Sequence, residues 1–146
     1  NEIPVGKFTC ETPEETFDLG GKIGVSLDGG EVILLSGTLG AGKTLLTKGI
    51  VDALCYDFDE VTSPSFTLVN LYEADLDIYH IDLWRVGESS DVAFAVGLDE
   101  ILENEKSVVI IEWAELLKDY EIGRKVIRVG ITGDGDDSRE ISIDSG

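Results

Sequence analysis

Gly37-Thr38-Leu39-Gly40-Ala41-Gly42-Lys43-Thr44 follows directly on Val32-Ile33-Leu34-Leu35-Ser36 and runs into Leu45-Leu46-Thr47-Lys48. The octapeptide matches G-x-x-x-x-G-K-[ST] at every fixed position. The apolar run before it suits a strand covered on both faces, as in a parallel sheet. The residues after it read as a helix from Lys43 to Cys55. Strand, glycine-rich loop and helix in this order wrap main-chain N–H groups around an anion, with the helix dipole aimed at it. Gly37, Leu39, Gly40, Ala41 and Gly42 then supply backbone to phosphate. Lys43 reaches the β- and γ-phosphates, and the Thr44 hydroxyl ligates Mg²⁺. The expected cofactors are ATP and Mg²⁺.

The same pattern continues outward. Val5 to Cys10 reads as a strand. Thr12-Pro13-Glu14-Glu15 reads as a helix start, with Thr12 at the N-cap, Pro13 at N1 and Glu15 at the capping-box position. Val61 to Val69 reads as a loop entering a strand, and Tyr72 to Asp75 as a hairpin edge. Ile78 to Ile81 and Val108 to Ile111 are further buried-type strands, with a helical stretch from Asp91 to Glu103 between them. Lys125 to Ile131 and Glu140 to Ile143 flank a Gly/Asp-rich turn and read as a hairpin. Alternating strands and helices give an α/β fold of the P-loop NTPase type, a mostly parallel central sheet flanked by helices with some antiparallel strands. At 146 residues, the expectation is a single ATPase domain over residues 1–146.

A phosphate-loop ATPase needs carboxylates near the metal or the attacking water, and open α/β sheets bring them to the carboxyl ends of the strands. Asp82 after Ile78-Tyr79-His80-Ile81 and Glu112 after Val108-Val109-Ile110-Ile111 are the two candidates. Spacing does not say which lies nearer the metal, and each also reads as a solvated strand end. His80, the sole histidine, reads as a satisfied, half-buried side chain ahead of a catalytic one. Arg85 reads as an ion-pair partner ahead of a phosphate contact. Trp84 and Trp113 read as packing or as gating groups. Ser63-Pro64-Ser65-Phe66-Thr67 is either an ordinary turn or a switch over the γ-phosphate.

Thirty acidic against eleven basic residues give a net charge of −19. That surface repels phosphate backbones and excludes a sequence-independent grip on nucleic acid. It reads as solubility or adaptation to a salty interior, or as an acidic face for a basic partner. Two cysteines without metal-like spacing, Cys10 and Cys55, read as free thiols of a reducing compartment. With neither an apolar leader pattern nor eighteen consecutive apolar residues, the expectation is a soluble, cytoplasmic chain away from membranes.

Four segments, in order, carry a family resemblance over nearly the whole chain. They are Ser36 to Thr44; Thr62-Ser63-Pro64-Ser65-Phe66-Thr67-Leu68-Val69; Tyr79-His80-Ile81-Asp82-Leu83-Trp84-Arg85; and Ile111-Glu112-Trp113-Ala114-Glu115. Together they resemble the bacterial threonylcarbamoyladenosine biosynthesis ATPase family, TsaE (also called YjeE). The resemblance implies ATP hydrolysis that is weak alone and tied to partners, the TsaD and TsaB proteins, which modify adenosine beside the anticodon. The tRNA is then met through the complex. It further implies that Lys43 and the loop hold phosphates, that Thr44 and Glu112 are on the metal, that Asp82 is needed nearby, and that the Ser63–Thr67 loop, Thr67 included, acts as a switch. Thr12 and Arg139 would flank the adenine. The family usually has Asp at Thr38, Thr at Ser65, Tyr at Trp84 and Pro at Ala114; none of these departures removes a phosphate or metal group. The alternatives on the same loop are a small-molecule or nucleotide kinase, and an adaptor that binds ATP without cleaving it.

Overall fold

The computed structural model describes residues 2–37, 42–62, 64, 67–84 and 91–145. In chain order these form β1 (Gly6–Cys10), α1 (Pro13–Val25), β2 (Val32–Gly37), α2 (Lys43–Ala53), β3 (Val69–Glu73), β4 (Asp77–Asp82), α3 (Val92–Val96), α4 (Leu98–Leu102), β5 (Val108–Glu112), β6 (Val126–Thr132) and β7 (Arg139–Ser145). Short 3₁₀ turns stand at Phe58–Glu60 and Ala114–Leu117. The described strands make one sheet in the order β1-β7-β6-β2-β5-β4-β3. Its four middle strands, β6, β2, β5 and β4, are parallel. The antiparallel pairs β7–β6, β1–β7 and β3–β4 lie towards its edges. The mixed α/β architecture expected from sequence is therefore the one observed.

The continuous apolar runs have a direct use. Side chains alternate across a strand, so β2 and β5 must present hydrocarbon to both layers. Ile33, Leu35, Val108 and Ile110 face one core, which α1 and α2 close with Leu19, Ile23, Leu46 and Ile50. Val32, Val109 and Ile111 face the other, closed by Val92, Val96 and Leu98 of α3 and α4. Each such side chain contributes about 1.5–3 kcal/mol when fully buried.

Several boundaries differ from expectation: the helix expected to reach Cys55 ends at Ala53, and the last strand runs from Arg139 to Ser145 rather than from Glu140 to Ile143. The helical stretch from Asp91 to Glu103 is two short helices, broken at Gly97, whose φ of +69° puts it in the left-handed region. The apolar periodicity continues through that break, which is why it reads as one helix. The strand expected from Val5 begins at Gly6. No described helix is long and apolar enough to cross a membrane.

Candidate functional site

The parallel strands bring their carboxyl ends to one edge. In register, Leu35 of β2 stands beside Glu112 of β5, and Glu112 beside Asp82 of β4. The two acids found by their position after apolar runs are thus neighbours, next to the strand that ends at Gly37. Both are buried.

Gly37 has a φ of +149°, and a Cβ there would sit 2.3 Å from the Ile131 carbonyl oxygen. Only glycine lets β2 leave the sheet this close to β6. Gly42, with φ +104°, is the N-cap of α2 and offers no side-chain cap. The N-cap residue therefore satisfies none of the first-turn N–H groups of α2 with a side chain. Thr38, Leu39, Gly40 and Ala41 lie outside the described residues.

Lys43 opens α2 with only 5% of its surface exposed. Its Nζ donates to the Gly37 carbonyl at 2.7 Å and stands 3.9 Å from the centre of the Trp113 ring. Burial pulls the ammonium below the usual lysine range, while Glu112, Glu115 and Asp82 pull it back. A desolvated ammonium facing three acids is a strong cation in a low-dielectric setting. Thr44 is half-buried in the same first turn.

Trp113 holds its place with a φ of +59°, a conformation that costs a bulky residue about 1–3 kcal/mol. Its ring lies 4.5 Å from that of Trp84, which is half-exposed. The Trp84 N–H in turn donates to Asp82 Oδ1 at 2.9 Å. Trp113 therefore covers the Lys43 ammonium, and Trp84 packs against Trp113 while its main-chain N–H holds Asp82. The motif alone did not reveal this, since a left-handed tryptophan has no sequence signature.

His80 is fully buried, not half-buried as its strand pattern suggested. Its Nε2 lies 2.5 Å from Glu112 Oε2, and its Nδ1 3.0 Å from the Tyr72 hydroxyl. Sequence reading missed Tyr72 as a partner, because the contact depends on the pairing of β3 with β4. Thr67 stands at the mouth of β3 and donates from Oγ1 to Asn70 Oδ1 at 2.7 Å. Ser63, Ser65, Phe66 and Arg85 lie outside the described residues.

A cavity of about 150 Å³ adjoins the head of α2. Thr12, Thr16, Gly42, Leu45 and Arg139 line it, with Cys10 at its wall. Thr12 is the N-cap of α1, accepting from Glu15 N–H at 3.2 Å. The Glu15 carboxylate reaches back to the Glu11 N–H at 3.2 Å, one residue beyond the usual capping-box donor, the N-cap N–H. Arg139 starts β7 and donates to the Asp137 and Gly135 carbonyls at 2.5 and 3.1 Å, which pins the β6–β7 turn. Thr12 and Arg139, 127 positions apart by number, thus meet beside Gly42. Among the described residues no three His, Cys, Asp or Glu side chains gather as a metal cluster.

Residues 10–141 match the family described as Threonylcarbamoyl adenosine biosynthesis protein TsaE. The tRNA threonylcarbamoyladenosine biosynthesis protein TsaE of Bacillus subtilis is 34% identical over 138 residues, 94% of this chain and 84% of the relative. That of Treponema pallidum is 33% identical over 137 residues, 94% of this chain and 98% of the relative. A crystal structure of Bacillus subtilis YdiB superposes with a TM-score of 0.74 at 30% identity, covering 98% of this chain and 86% of that one.

Proposed function

The chain belongs to the TsaE family of tRNA threonylcarbamoyladenosine biosynthesis proteins, and from that membership we propose that it binds ATP with Mg²⁺ at the head of α2 and hydrolyses it as the nucleotide-dependent part of that machinery. The observation that carries the reading is the Lys43 ammonium. It is buried at a helix N-terminus, at the end of the G-x-x-x-x-G-K-[ST] stretch of sequence, and feels the charge of the strand-end acids Glu112 and Asp82. A protein does not bury a lysine this way for stability alone, since taking an ammonium out of water costs several kcal/mol. A polyphosphate in the same place offsets that cost.

The residues fit the cofactors. Gly37, Leu39, Gly40, Ala41 and Gly42 would give main-chain N–H groups to the phosphates, with Lys43 on the β- and γ-phosphates. Mg²⁺ takes only one or two protein oxygens beside phosphate and water, and Thr44 with Glu112 offer that set. When bound, the cation neutralises charge that builds on the phosphate oxygens. Asp82 would orient water or metal-bound water from the neighbouring strand, and Thr67 would contact the phosphate end from the loop before β3. The Thr12–Arg139 cavity would take the adenine and ribose. The Trp113 ring shields Lys43 from bulk water on one side, which strengthens its hold on anions.

The remainder of the proposal is that residues 1–146 act as one nucleotide-binding unit in the cytoplasm. TsaD and TsaB are its partners, and it meets tRNA through them. A net charge of −19 supports an indirect encounter, because a chain so acidic gains nothing from counterion release on RNA. ATP turnover measured with and without purified TsaD and TsaB tests this. Slow hydrolysis alone and faster hydrolysis with both partners is expected. Efficient phosphoryl transfer to a nucleoside acceptor, or no response to the partners, contradicts it.

A further inference from the structure

On the face of the sheet that carries α2, four strand residues form a polar line through an otherwise apolar layer. Asn70 lies opposite His80 in the β3–β4 ladder, and Tyr72 lies two residues along. His80 and Glu112 lie diagonally across the β4–β5 pair, since Asp82 is the residue opposite Glu112. Period-two alternation puts all four side chains on one face. Tyr72, His80 and Glu112 are each at most 3% exposed. Their neighbours on that face include Ile78, Val108 and Ile110.

The donors can be assigned in order. A carboxylate only accepts, so His80 Nε2 carries the proton towards Glu112. Nδ1 is then the acceptor, and the Tyr72 hydroxyl donates to it at 3.0 Å. The same hydroxyl lies 3.2 Å from the Thr62 carbonyl, so one proton serves two acceptors. Asn70 Nδ2 donates to the Thr62 carbonyl at 3.3 Å and to the Tyr72 oxygen at 3.4 Å. Thr67 donates to Asn70 Oδ1 at 2.7 Å. Every bond from Thr67 to Glu112 runs in one direction. Apolar side chains of similar volume would stabilise this layer at least as well as a buried polar string, so packing alone does not account for it.

We propose that Tyr72 and His80 are positioning residues, a buried hydrogen-bond relay through which the Thr62 carbonyl and the Thr67 hydroxyl set the orientation of the Glu112 carboxylate. When the Thr62 carbonyl moves away, the Tyr72 proton is committed to His80. When it moves in, that proton is shared and the imidazole loosens its hold on Glu112. The relay thereby links Thr62 and Thr67 to the acid whose charge Lys43 feels. It rests on the reading of Glu112 as part of a nucleotide site.

His80 is the sole histidine, so nitrogen-15 NMR of the imidazole gives one unambiguous pair of signals. In the wild-type chain Nε2 carries the proton and Nδ1 accepts. Tyr72→Phe, which keeps the ring, moves the Nδ1 signal towards that of a nitrogen without a hydrogen bond. Thr67→Val moves it by a smaller amount, although Thr67 reaches the ring only through Asn70 and Tyr72. An imidazole indifferent to both substitutions overturns the relay. This arm needs no nucleotide. In single-turnover hydrolysis, with the protein in excess over Mg·ATP and above its Kd, Tyr72→Phe lowers the rate roughly fivefold, the effect of one lost hydrogen bond. The calorimetric Kd for Mg·ATP stays within about twofold. In a Glu112→Gln background the same substitution has no further effect on the rate, because the relay then has nothing to orient. An equal loss in both backgrounds overturns the proposal. A wild-type chain that neither binds nor cleaves Mg·ATP sinks the nucleotide reading instead, while the imidazole signals still decide the relay.

Discussion

Gly49→Ala is expected to destabilise the protein strongly, and Gly21→Ala to stabilise it, although both put one methyl on a helix. The helices α1 and α2 pack glycine to glycine. A Cβ on Gly49 would meet the Phe17 carbonyl oxygen at 2.1 Å and the Gly20 Cα at 3.1 Å, where ordinary contact begins at 3.4 Å. Both obstacles are backbone, so neither can rotate aside, and the helices must part. Overpacking of this kind costs about 1–3 kcal/mol, and here it stands against a helix-propensity gain of about 1 kcal/mol. At 2.1 Å the upper end applies, for a net loss of about 2 kcal/mol. A Cβ on Gly21 meets nothing nearer than the Gly49 carbonyl at 4.0 Å, so the propensity gain stands almost alone. Urea unfolding followed by circular dichroism measures both. With a slope of about 2 kcal/mol per molar, Gly49→Ala lowers the midpoint by roughly 1 M and Gly21→Ala raises it by up to about 0.5 M. The function follows the packing, because α1 brings Thr12 and Thr16, and α2 brings Gly42 and Lys43, to the same cleft. Gly49→Ala therefore also weakens Mg·ATP binding, whereas Gly21→Ala does not. Equal midpoints for the two variants, or a stabilised Gly49→Ala, would refute the close-packed interface and its role in shaping the site.

Two further outcomes follow from the same geometry. Chelating magnesium weakens ATP binding by about tenfold or more in the wild-type chain and by much less in Thr44→Ala, because the hydroxyl matters only when the cation is present; calorimetry with and without chelator measures the difference. Cys10 is buried at the wall of the Thr12–Arg139 cavity, and burial raises its thiol pKa, so it holds less thiolate than a free cysteine at a given pH. The Asp75 carboxylate raises the Cys55 thiol as well, so exposure decides the order: iodoacetamide at pH 8 labels exposed Cys55 before buried Cys10, and saturating Mg·ATP slows Cys10 further while leaving Cys55 alone; peptide mass spectrometry reads both sites.

The parts legible in the sequence are those fixed by local chemistry. Val32 to Leu35 and Val108 to Ile111 declare central strands because residues buried on both faces must be apolar without alternation. Thr12 and Pro13 declare a helix start because capping needs that oxygen and that φ. Glu112 and Asp82 are found because parallel strands carry their ends to one edge. What the sequence hides depends on register and on backbone exceptions. The line from Asn70 through Tyr72 and His80 exists only once β3 pairs with β4 and β4 with β5. Trp113 reaches Lys43 through a left-handed turn that no propensity favours. Gly97 splits a continuous periodic pattern by a single positive φ. The meeting of Thr12 with Arg139 is a long-range consequence of α1 and β7 both opening at the edge where α2 begins.

Titration calorimetry of Mg·ATP into the wild-type chain and into Lys43→Ala tests the nucleotide site most directly. Saturable one-to-one binding by the wild type, weakened by at least about a hundredfold when the buried ammonium is removed, is the expected result. Absence of binding by the wild type, or equal binding by the two proteins, would contradict it.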